Sequence, residues 1–249
     1  MCFVYINAKN VNNYFQKIRF SIKRSRNLGN RLYGNIFYCF NAAQDIIFEG
    51  RTIMYQKIIK RGFDIAMSFV AIVLLLPFLS LIALCVFIYD GKSPILAQRR
   101  IGKGGREFLM YKFRSMKMDT PDVPTGSFTN IRDHITPIGR ILRKTSIDEL
   151  PQLFNILIGD MSFVGPRPSL WNESELNGER ERLGINSILP GLTGWAQVNG
   201  RSKLSLERRI HFDKEYTSSL KQGGIKAFLM DTKCILKTFI VVFKFKDVT

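Results

Sequence analysis

Two adjacent acidic residues, Asp148 and Glu149, are the sharpest candidates for chemistry in this sequence, because acids are scarce in it. Ser146 and Glu149 have the spacing of a capping box, which predicts that Asp148 lies in the first turn of a helix, with Pro151 close behind. Acids at a helix start ordinarily complement the helix dipole and need no further function. The alternative is that the Asp148 carboxylate acts as a nucleophile towards phosphorus.

Basic residues flank this acidic pair on both sides along the chain. They are Arg140, Arg143, Lys144 and Arg167. Near a helix N-terminus, whose free N–H groups attract anions, such arginines would bring a phosphate group to the carboxylates. A divalent cation would then be needed to reduce the repulsion between carboxylate and phosphate. The histidines His134 and His211 are far apart, so oxygen-ligated Mg²⁺ is the metal that this region favours.

The overall composition restricts the class of protein. The chain has 249 residues, of which 46% are hydrophobic and 23% charged, so it can bury a core and is not wholly disordered. With 37 Lys and Arg against 20 Asp and Glu, the net charge of +17 indicates an anionic partner: nucleic acid, a phosphate-bearing substrate or a membrane surface. The four cysteines form no CxxC pair, which fits a reducing, cytoplasmic setting.

An uncharged segment of 25 residues, 65–89, is the strongest structural signal. As a helix it would be about 37 Å long, which is enough to enter a bilayer. Basic residues cluster on both sides of it, and both flanks therefore prefer the cytoplasmic side. Pro77 lies at its midpoint and would break the helix, so we expect a re-entrant helical hairpin over residues 63–90. A membrane-spanning helix that tolerates the proline is the alternative.

The segments that follow predict a small hairpin and two helices. Two apolar-rich runs within residues 95–116 flank a glycine-rich turn, which is typical of a β-hairpin. Residues 120–130 are rich in turn formers and are expected to form a loop. Apolar residues at helical spacing in 136–158 predict short amphipathic helices, which would either pack on one another or lie on the bilayer surface.

The remaining segments give weaker signals. Residues 165–168 and 190–201 are rich in glycine and proline and are interpreted as rigid turns. Residues 226–246 predict a last helix with an apolar face. Residues 1–50 are basic and aromatic and are expected to form an arm of unknown role, ahead of a domain over 51–249. The expected fold is α+β and mainly helical, with a membrane hairpin, interfacial amphipathic helices and a small β-hairpin.

Several segments together resemble the bacterial sugar transferases that are monotopic phosphoglycosyl transferases, of the small, catalytic-domain type. They are Lys60-Arg61-x-x-Asp64 before the apolar segment, then QRRIG, YKFRSM, LRKTSIDELPQLFNILIGDMSFVGPRP and PGLTGWAQVNGR. They stand in the family's order over residues 55–244. The block from SIDELPQLFNIL to GPRP is long and compositionally unusual, which makes the resemblance specific.

The resemblance implies a membrane transferase. Such an enzyme transfers a phosphosugar from a UDP-sugar to a membrane polyprenyl phosphate (undecaprenyl phosphate) and releases UMP, as the initiating step of polysaccharide or glycan assembly. The resemblance also implies a location at the cytoplasmic face of the bacterial inner membrane and contacts with membrane lipids. It is compatible with a homo-oligomer and implies no nucleic-acid partner.

The resemblance also implies roles for individual residues. The family's Asp-Glu dyad falls on Asp148 and Glu149, so Asp148 would form an aspartyl-phosphosugar and also bind the metal. Glu149 would assist through metal or proton handling. The basic motif positions, which would contact phosphate, are Arg143, Arg167 and Lys112. Asp160 is a motif position without an assigned role, and Pro77 is the break in the membrane helix.

Three other functions account for parts of the sequence. A non-catalytic basic protein that binds a membrane surface or nucleic acid would explain the charge and the aromatic residues among arginines, but a nucleic-acid binder has no use for the long apolar segment. An inactive scaffold with the transferase fold would not need the Asp148–Glu149 pair. A glycosyltransferase that moves only the sugar would release UDP instead of UMP.

Overall fold

The protein is described by a computed structural model that covers residues 50, 52, 54–117, 120, 131–200 and 204–243. Apart from Gly50 and Thr120, the expected arm 1–50 and the expected loop 120–130 lie outside these residues. The helices are α1 (Arg61–Asp90), α2 (Pro137–Thr145), α3 (Gln152–Ile158), α4 (Ser174–Arg182), α5 (Trp195–Val198), α6 (Leu206–Gln222) and α7 (Gly224–Phe243). The strands are β1 (Ile95–Ile101), β2 (Glu107–Phe113), β3 (Ser162–Val164) and β4 (Gly191–Thr193). The described residues are mainly helical, as expected.

The uncharged segment forms helix α1, which follows a π-helical turn over Met54–Lys60. Together these residues form a helix that is long and apolar enough to cross a membrane, and most of its large apolar side chains are exposed. Pro77 lies inside α1, where it has no N–H to donate to the preceding turn. The structure assigns helix on both sides of this proline, and the re-entrant path of the segment stays a prediction.

The residues around the N-terminal end of α1 bind three other elements. Arg61 donates to two backbone carbonyl oxygens at the C-terminal end of α3, at 2.5 and 2.8 Å. The buried Asp64 carboxylate accepts the backbone N–H of Phe163 on β3 at 3.1 Å. Lys60 lies 2.7 Å from Asp231 on α7. The charged residues that precede the apolar segment therefore join it to the rest of the chain.

The predicted β-hairpin is confirmed, with β1 and β2 antiparallel and Gln98 opposite Met110. The turn between them includes Gly104 and Gly105, whose φ angles of 71° and 72° are readily adopted by glycine. Alternate side chains of a strand share one face, and directly paired residues of two strands share that face too. Because Lys112 pairs with Leu96, it lies on the same face of the hairpin as Gln98.

The second glycine-rich stretch, 190–201, contains strand β4 and helix α5, which differs from the predicted rigid turn, whereas residues 165–168 form a bend and loop directly after β3, as predicted. Ser162 of β3 pairs with Gly191 of β4, and α5 follows directly. A side chain at Gly191 would overlap the backbone nitrogen of Gly165, so glycine is required for close backbone approach. Three-residue strands are too short to show the alternation by which a strand is predicted. This pairing fixes the start of the 165–168 loop.

The predicted amphipathic helices α2 and α3 and the predicted last helix α7 are confirmed, whereas α4, α5 and α6 were not predicted. Helix α6 lacks a clear helical period of apolar residues in its sequence, because its buried face includes Asp213 and Thr217 beside apolar residues. It packs with α7 in the largest buried cluster, which consists of Tyr55, Val164, Ile188, Trp195, Tyr216, Leu220, Ala227, Met230 and Cys234. This core supports β3 and therefore the loop that follows it.

Candidate active site

The acidic pair lies in a 3₁₀ turn, Ile147–Glu149, between α2 and α3. The predicted capping box is wrong, because the Ser146 side chain makes no capping hydrogen bond. Ser146 instead ends α2 in the left-handed conformation, with φ 57°, and its backbone N–H donates to the carbonyl oxygen of Arg143 at 3.2 Å. Among the described residues it is the one non-glycine residue with positive φ. Such backbone is uncommon for serine and often accompanies functional sites.

The structure brings together all five residues that the sequence proposed for catalysis and phosphate binding. Arg167 binds Glu149 through a 2.6 Å contact between its Nη2 and the Oε1 atom. The positive charges of Arg143, Lys112 and Arg167 all act on Asp148. The Nη1 group of Arg143 is buried and has no hydrogen-bond partner within the described part of the chain. A buried donor without a partner is costly, and a bound anion would supply the missing acceptor.

Burial is the main cause of the altered acidity of Asp148. Together with the negative charge of Glu149, it raises the pKa of Asp148 to about 6, against the opposing effect of the three nearby cations. Burial also lowers the pKa of Lys112 to about 8, helped by the charges of Arg100 and Arg167. At neutral pH the site therefore holds an ionised, relatively basic carboxylate beside positively charged groups.

The raised pKa predicts that Asp148→Asn stabilises the protein at neutral pH. A carboxyl group whose pKa is higher in the folded state costs stability once the pH rises through that folded value of about 6. Because the side chain is partly exposed, we expect a gain of about 1 to 2 kcal/mol. Thermal unfolding in detergent with a chelator should show a higher midpoint for the variant at pH 7.5 and no difference below pH 3.8, the ordinary pKa. A difference that is independent of pH would contradict the shifted pKa.

The loop that carries Arg167 is held in place by Arg180 and Arg100, which were not among the predicted site residues. Arg180, whose side chain is only 3% exposed, donates to the backbone oxygen of Arg167 at 2.8 Å and pairs with Asp213 at 2.6 Å. Arg100 donates to the backbone oxygen of Pro168 at 3.0 Å. Arg100 belongs to the QRRIG segment, which resembles the family's motif, but no role was predicted for this arginine. Arg180 and Asp213 lie outside any quoted motif and carried no signal.

Asp160 lies beyond the C-terminal end of α3, whereas the acidic pair precedes its N-terminal end. Its carboxylate is 3.5 Å from the side-chain nitrogen of Asn155. The same Asn155 side chain bonds the backbone of β2 at Leu109 and Tyr111, with distances of 2.7 and 2.9 Å. Asp160 therefore lies next to the contact between α3 and the hairpin.

The donor set at the acidic pair fits a hard cation that is only partly bound by protein. Within the described ranges, no three His, Cys, Asp or Glu side chains converge. Asp148 and Glu149 are adjacent carboxylates, and Glu149 is already engaged by Arg167. Mg²⁺ is commonly held by one or two carboxylates together with water and substrate phosphate oxygens. Asp148 is therefore the protein ligand that this arrangement offers.

Comparison with known proteins extends over most of the chain. The family model described as bacterial sugar transferase matches residues 55–245. An undecaprenyl-phosphate glucose phosphotransferase from Komagataeibacter xylinus is 42% identical over 170 residues, which are 63% of this chain and 32% of the relative. A UDP-glucose:undecaprenyl-phosphate glucose-1-phosphate transferase from Escherichia coli K12 is 38% identical over 171 residues, 65% of this chain and 36% of the relative.

A shorter relative is covered more fully. The exopolysaccharide production protein ExoY of Rhizobium meliloti is 38% identical over 176 residues, which are 64% of this chain and 77% of the relative. The matched part of the chain spans about a third of the length of the two longer relatives. The match to the family model includes α1, the acidic pair and the Arg167 loop. The chain belongs to the bacterial sugar transferase family.

Proposed function

We propose that this protein transfers a phosphosugar from a UDP-sugar to undecaprenyl phosphate or a similar polyprenyl phosphate, releases UMP, and thereby initiates polysaccharide or glycan assembly. The observation that carries the proposal is the convergence of Arg143, Lys112 and Arg167 on the Asp148–Glu149 pair. The names of two relatives, from Komagataeibacter xylinus and Escherichia coli, describe transfer to undecaprenyl phosphate and support the same reaction here.

Binding of the donor uses the cations of the site. A diphosphate placed beside the acidic pair would accept hydrogen bonds from Arg143, whose buried Nη1 group is without a partner in the described residues. Lys112 and Arg167 would add positive charge on the same group. Glu149 holds the Arg167 guanidinium at 2.6 Å, so this carboxylate orients a phosphate contact. The arrangement offsets the repulsion between the donor and the Asp148 carboxylate.

In the first chemical step, a carboxylate oxygen of Asp148 attacks the β-phosphorus of the UDP-sugar. The bond between that phosphorus and the bridging oxygen breaks, and UMP leaves with the electron pair. In the second step, a phosphate oxygen of the lipid attacks the same phosphorus, and the bond to Asp148 breaks. The products are a polyprenyl diphosphosugar and free Asp148. The raised pKa of Asp148 makes its ionised form more basic than an ordinary aspartate and thus a better nucleophile.

Mg²⁺ is part of the proposal. Asp148 and oxygen atoms of the substrate phosphates would hold it, and when bound it would neutralise phosphate charge. The chain's own cations perform the remaining charge compensation. Metal dependence of UMP release, measured with a chelator and after Mg²⁺ is returned, tests this part separately from the covalent chemistry.

The exposed apolar surface supports a position at the membrane. Helix α7 carries a stripe of exposed large apolar side chains at helical spacing, which are Ile225, Phe228, Leu229, Leu236, Phe239 and Ile240. Helices α2 and α3 expose Ile141, Phe154 and Ile158. Exposed apolar faces on a chain of charge +17 suit an anionic membrane surface, on which amphipathic helices lie in the interface. We place this surface at the cytoplasmic face of the bacterial inner membrane.

The re-entrant path of α1 predicts that both of its ends face the cytoplasm, because both flanks are basic and Pro77 lies midway. In a cysteine-free background, Gly50→Cys and Ser93→Cys should both react with a membrane-impermeant maleimide in inverted vesicles, and neither in intact spheroplasts. Pro77→Leu restores the missing N–H and should shift part of the population to a spanning path. If the two introduced cysteines were labelled from opposite sides of the membrane in the chain that keeps Pro77, the re-entrant path would be overturned.

A product assay tests the proposed reaction. The full chain in detergent is incubated with a panel of UDP-sugars and polyprenyl phosphate, and UMP and UDP are measured separately. We expect UMP together with a lipid-linked diphosphosugar for at least one donor. Release of UDP would indicate transfer of the sugar alone. Absence of both products, with salt-sensitive binding to nucleic acid, would favour the non-catalytic binding protein.

A further inference from the structure

The side chain of Gln98 on β1 receives several cationic donors on a single oxygen atom. Its Oε1 accepts from Lys112 Nζ at 2.9 Å, and from Arg100 at 2.7 Å through Nη2 and 3.2 Å through Nε. Because all of these partners are donors, the carboxamide oxygen must face them and the amide nitrogen must point away. Gln98 thus lies between two positively charged side chains on one face of the hairpin.

The two donors connect Gln98 to two parts of the candidate active site. Lys112 acts electrostatically on both acids of the pair, Asp148 and Glu149. Arg100 uses its remaining Nη1 group to bond the backbone oxygen of Pro168, the residue after Arg167. A continuous series of hydrogen bonds therefore runs from the Arg167 loop through Arg100 and Gln98 to the Lys112 ammonium group.

A neutral acceptor at this position has a specific electrostatic effect. The Lys112 ammonium group is half-buried and close to carboxylates, which are stronger acceptors than an amide and would draw it into an ion pair. Gln98 offers a competing acceptor on the hairpin and cancels none of the positive charge. Lys112 therefore keeps its charge available for an incoming anion. Its like-charged neighbour Arg100 stays close because both groups share the same oxygen.

We propose that Gln98 is a positioning residue of the phosphate-binding site: its carboxamide oxygen, oriented by Arg100, holds the ammonium group of Lys112 in the place where it contacts the donor diphosphate. Gln98 acts through Lys112 and does not itself touch the substrate. The inference rests on the proposed function, because the substrate contact that it assigns belongs to that reaction.

A double-mutant cycle tests this dependence. Gln98→Leu removes the acceptor and keeps a similar volume, and Lys112→Met removes the ammonium group and keeps most of the aliphatic stem. In the wild-type background, we expect Gln98→Leu to lower kcat/KM for the nucleotide sugar by roughly ten- to hundredfold. In the Lys112→Met background, the same substitution should lower it by no more than about twofold, because its target is gone.

A neighbouring residue supplies the matched control. Arg99 lies on the opposite face of β1, is exposed, and interacts with Glu107 at 3.8 Å and with the Trp171 ring at 4.8 Å. Arg99→Ala should leave kcat/KM within about twofold of the wild type. Thermal unfolding midpoints of all variants are measured beside the kinetics, so that loss of the folded protein is recognised.

The outcomes separate this inference from the function on which it rests. A wild type that releases no UMP with any donor would overturn the proposed function itself. An active wild type with an equal loss from Gln98→Leu in both backgrounds would overturn the positioning role and leave the function standing. An active wild type for which Gln98→Leu has no effect would do the same. A loss that nearly vanishes in the Lys112→Met background is the expected result.

Discussion

Replacing Asp148 by asparagine is expected to lower the rate of UMP release by more than about a thousandfold, because the amide has nearly the same shape but is a far poorer nucleophile and metal ligand. The measurement is the initial rate of UMP release at saturating nucleotide sugar and polyprenyl phosphate. The protein should remain folded and bound to the membrane. Burial disfavours the ionised form of Asp148, so removal of this charge does not destabilise the fold.

The exposed carboxylate of Glu175 on α4 provides a control for this substitution. Glu175→Gln makes the same change from carboxylate to amide outside the site, and its rate should equal that of the wild type. If Asp148→Asn retained turnover, Asp148 would be a turn residue, because asparagine serves about as well as aspartate at such positions. The proposed covalent chemistry would then be wrong.

Arg167→Ala is expected to lower kcat/KM for the nucleotide sugar by roughly ten- to hundredfold, the effect of losing a charge-assisted contact to phosphate. It also leaves Glu149 without the guanidinium that binds it at 2.6 Å. Arg143→Ala should act in the same direction. Steady-state kinetics with varied nucleotide sugar measure the effect, and the thermal unfolding midpoint should change much less than the activity.

The Arg182–Glu179 pair is a matched control for Arg167, because its contact is also 2.6 Å but lies on the exposed face of α4. Arg182→Ala should leave the kinetics unchanged, as expected for an exposed ion pair. The alternative for Arg167 is that its long side chain merely reaches the lipid headgroups. Unchanged kinetics together with weaker binding to anionic vesicles would support that alternative and contradict the phosphate contact.

The elements that could be predicted from the sequence are those with a local signal. The hairpin follows from two apolar-rich runs around Gly104 and Gly105, and α2 and α3 follow from their apolar spacing. Helix α6 was missed because the buried Asp213 and Thr217 interrupt its apolar face. Strands β3 and β4 were missed because each has three residues and their pairing depends on a contact between segments that are distant in the sequence.

The candidate site shows the same division between local and long-range information. Asp148 and its basic neighbours could be selected from their types, spacing and resemblance to a family. The predicted capping box at Ser146 failed because the same residue ends the preceding helix, and a left-handed residue cannot also supply an N-cap. Gln98 and Arg180 carry no local signal of their roles, because their partners across the site are assembled only by the fold.

The central claim is that the phosphosugar passes through a covalent bond to Asp148, and retention of label on the protein tests it most directly. The full chain is incubated with a UDP-sugar labelled on its β-phosphate, without lipid acceptor, and then separated from small molecules under denaturing conditions. The wild type should release UMP and keep the label on the protein, with up to one label per chain, and Asp148→Asn should do neither. A wild type that forms product only when both substrates are present, and never retains label, would contradict the covalent route and leave Asp148 as a metal ligand.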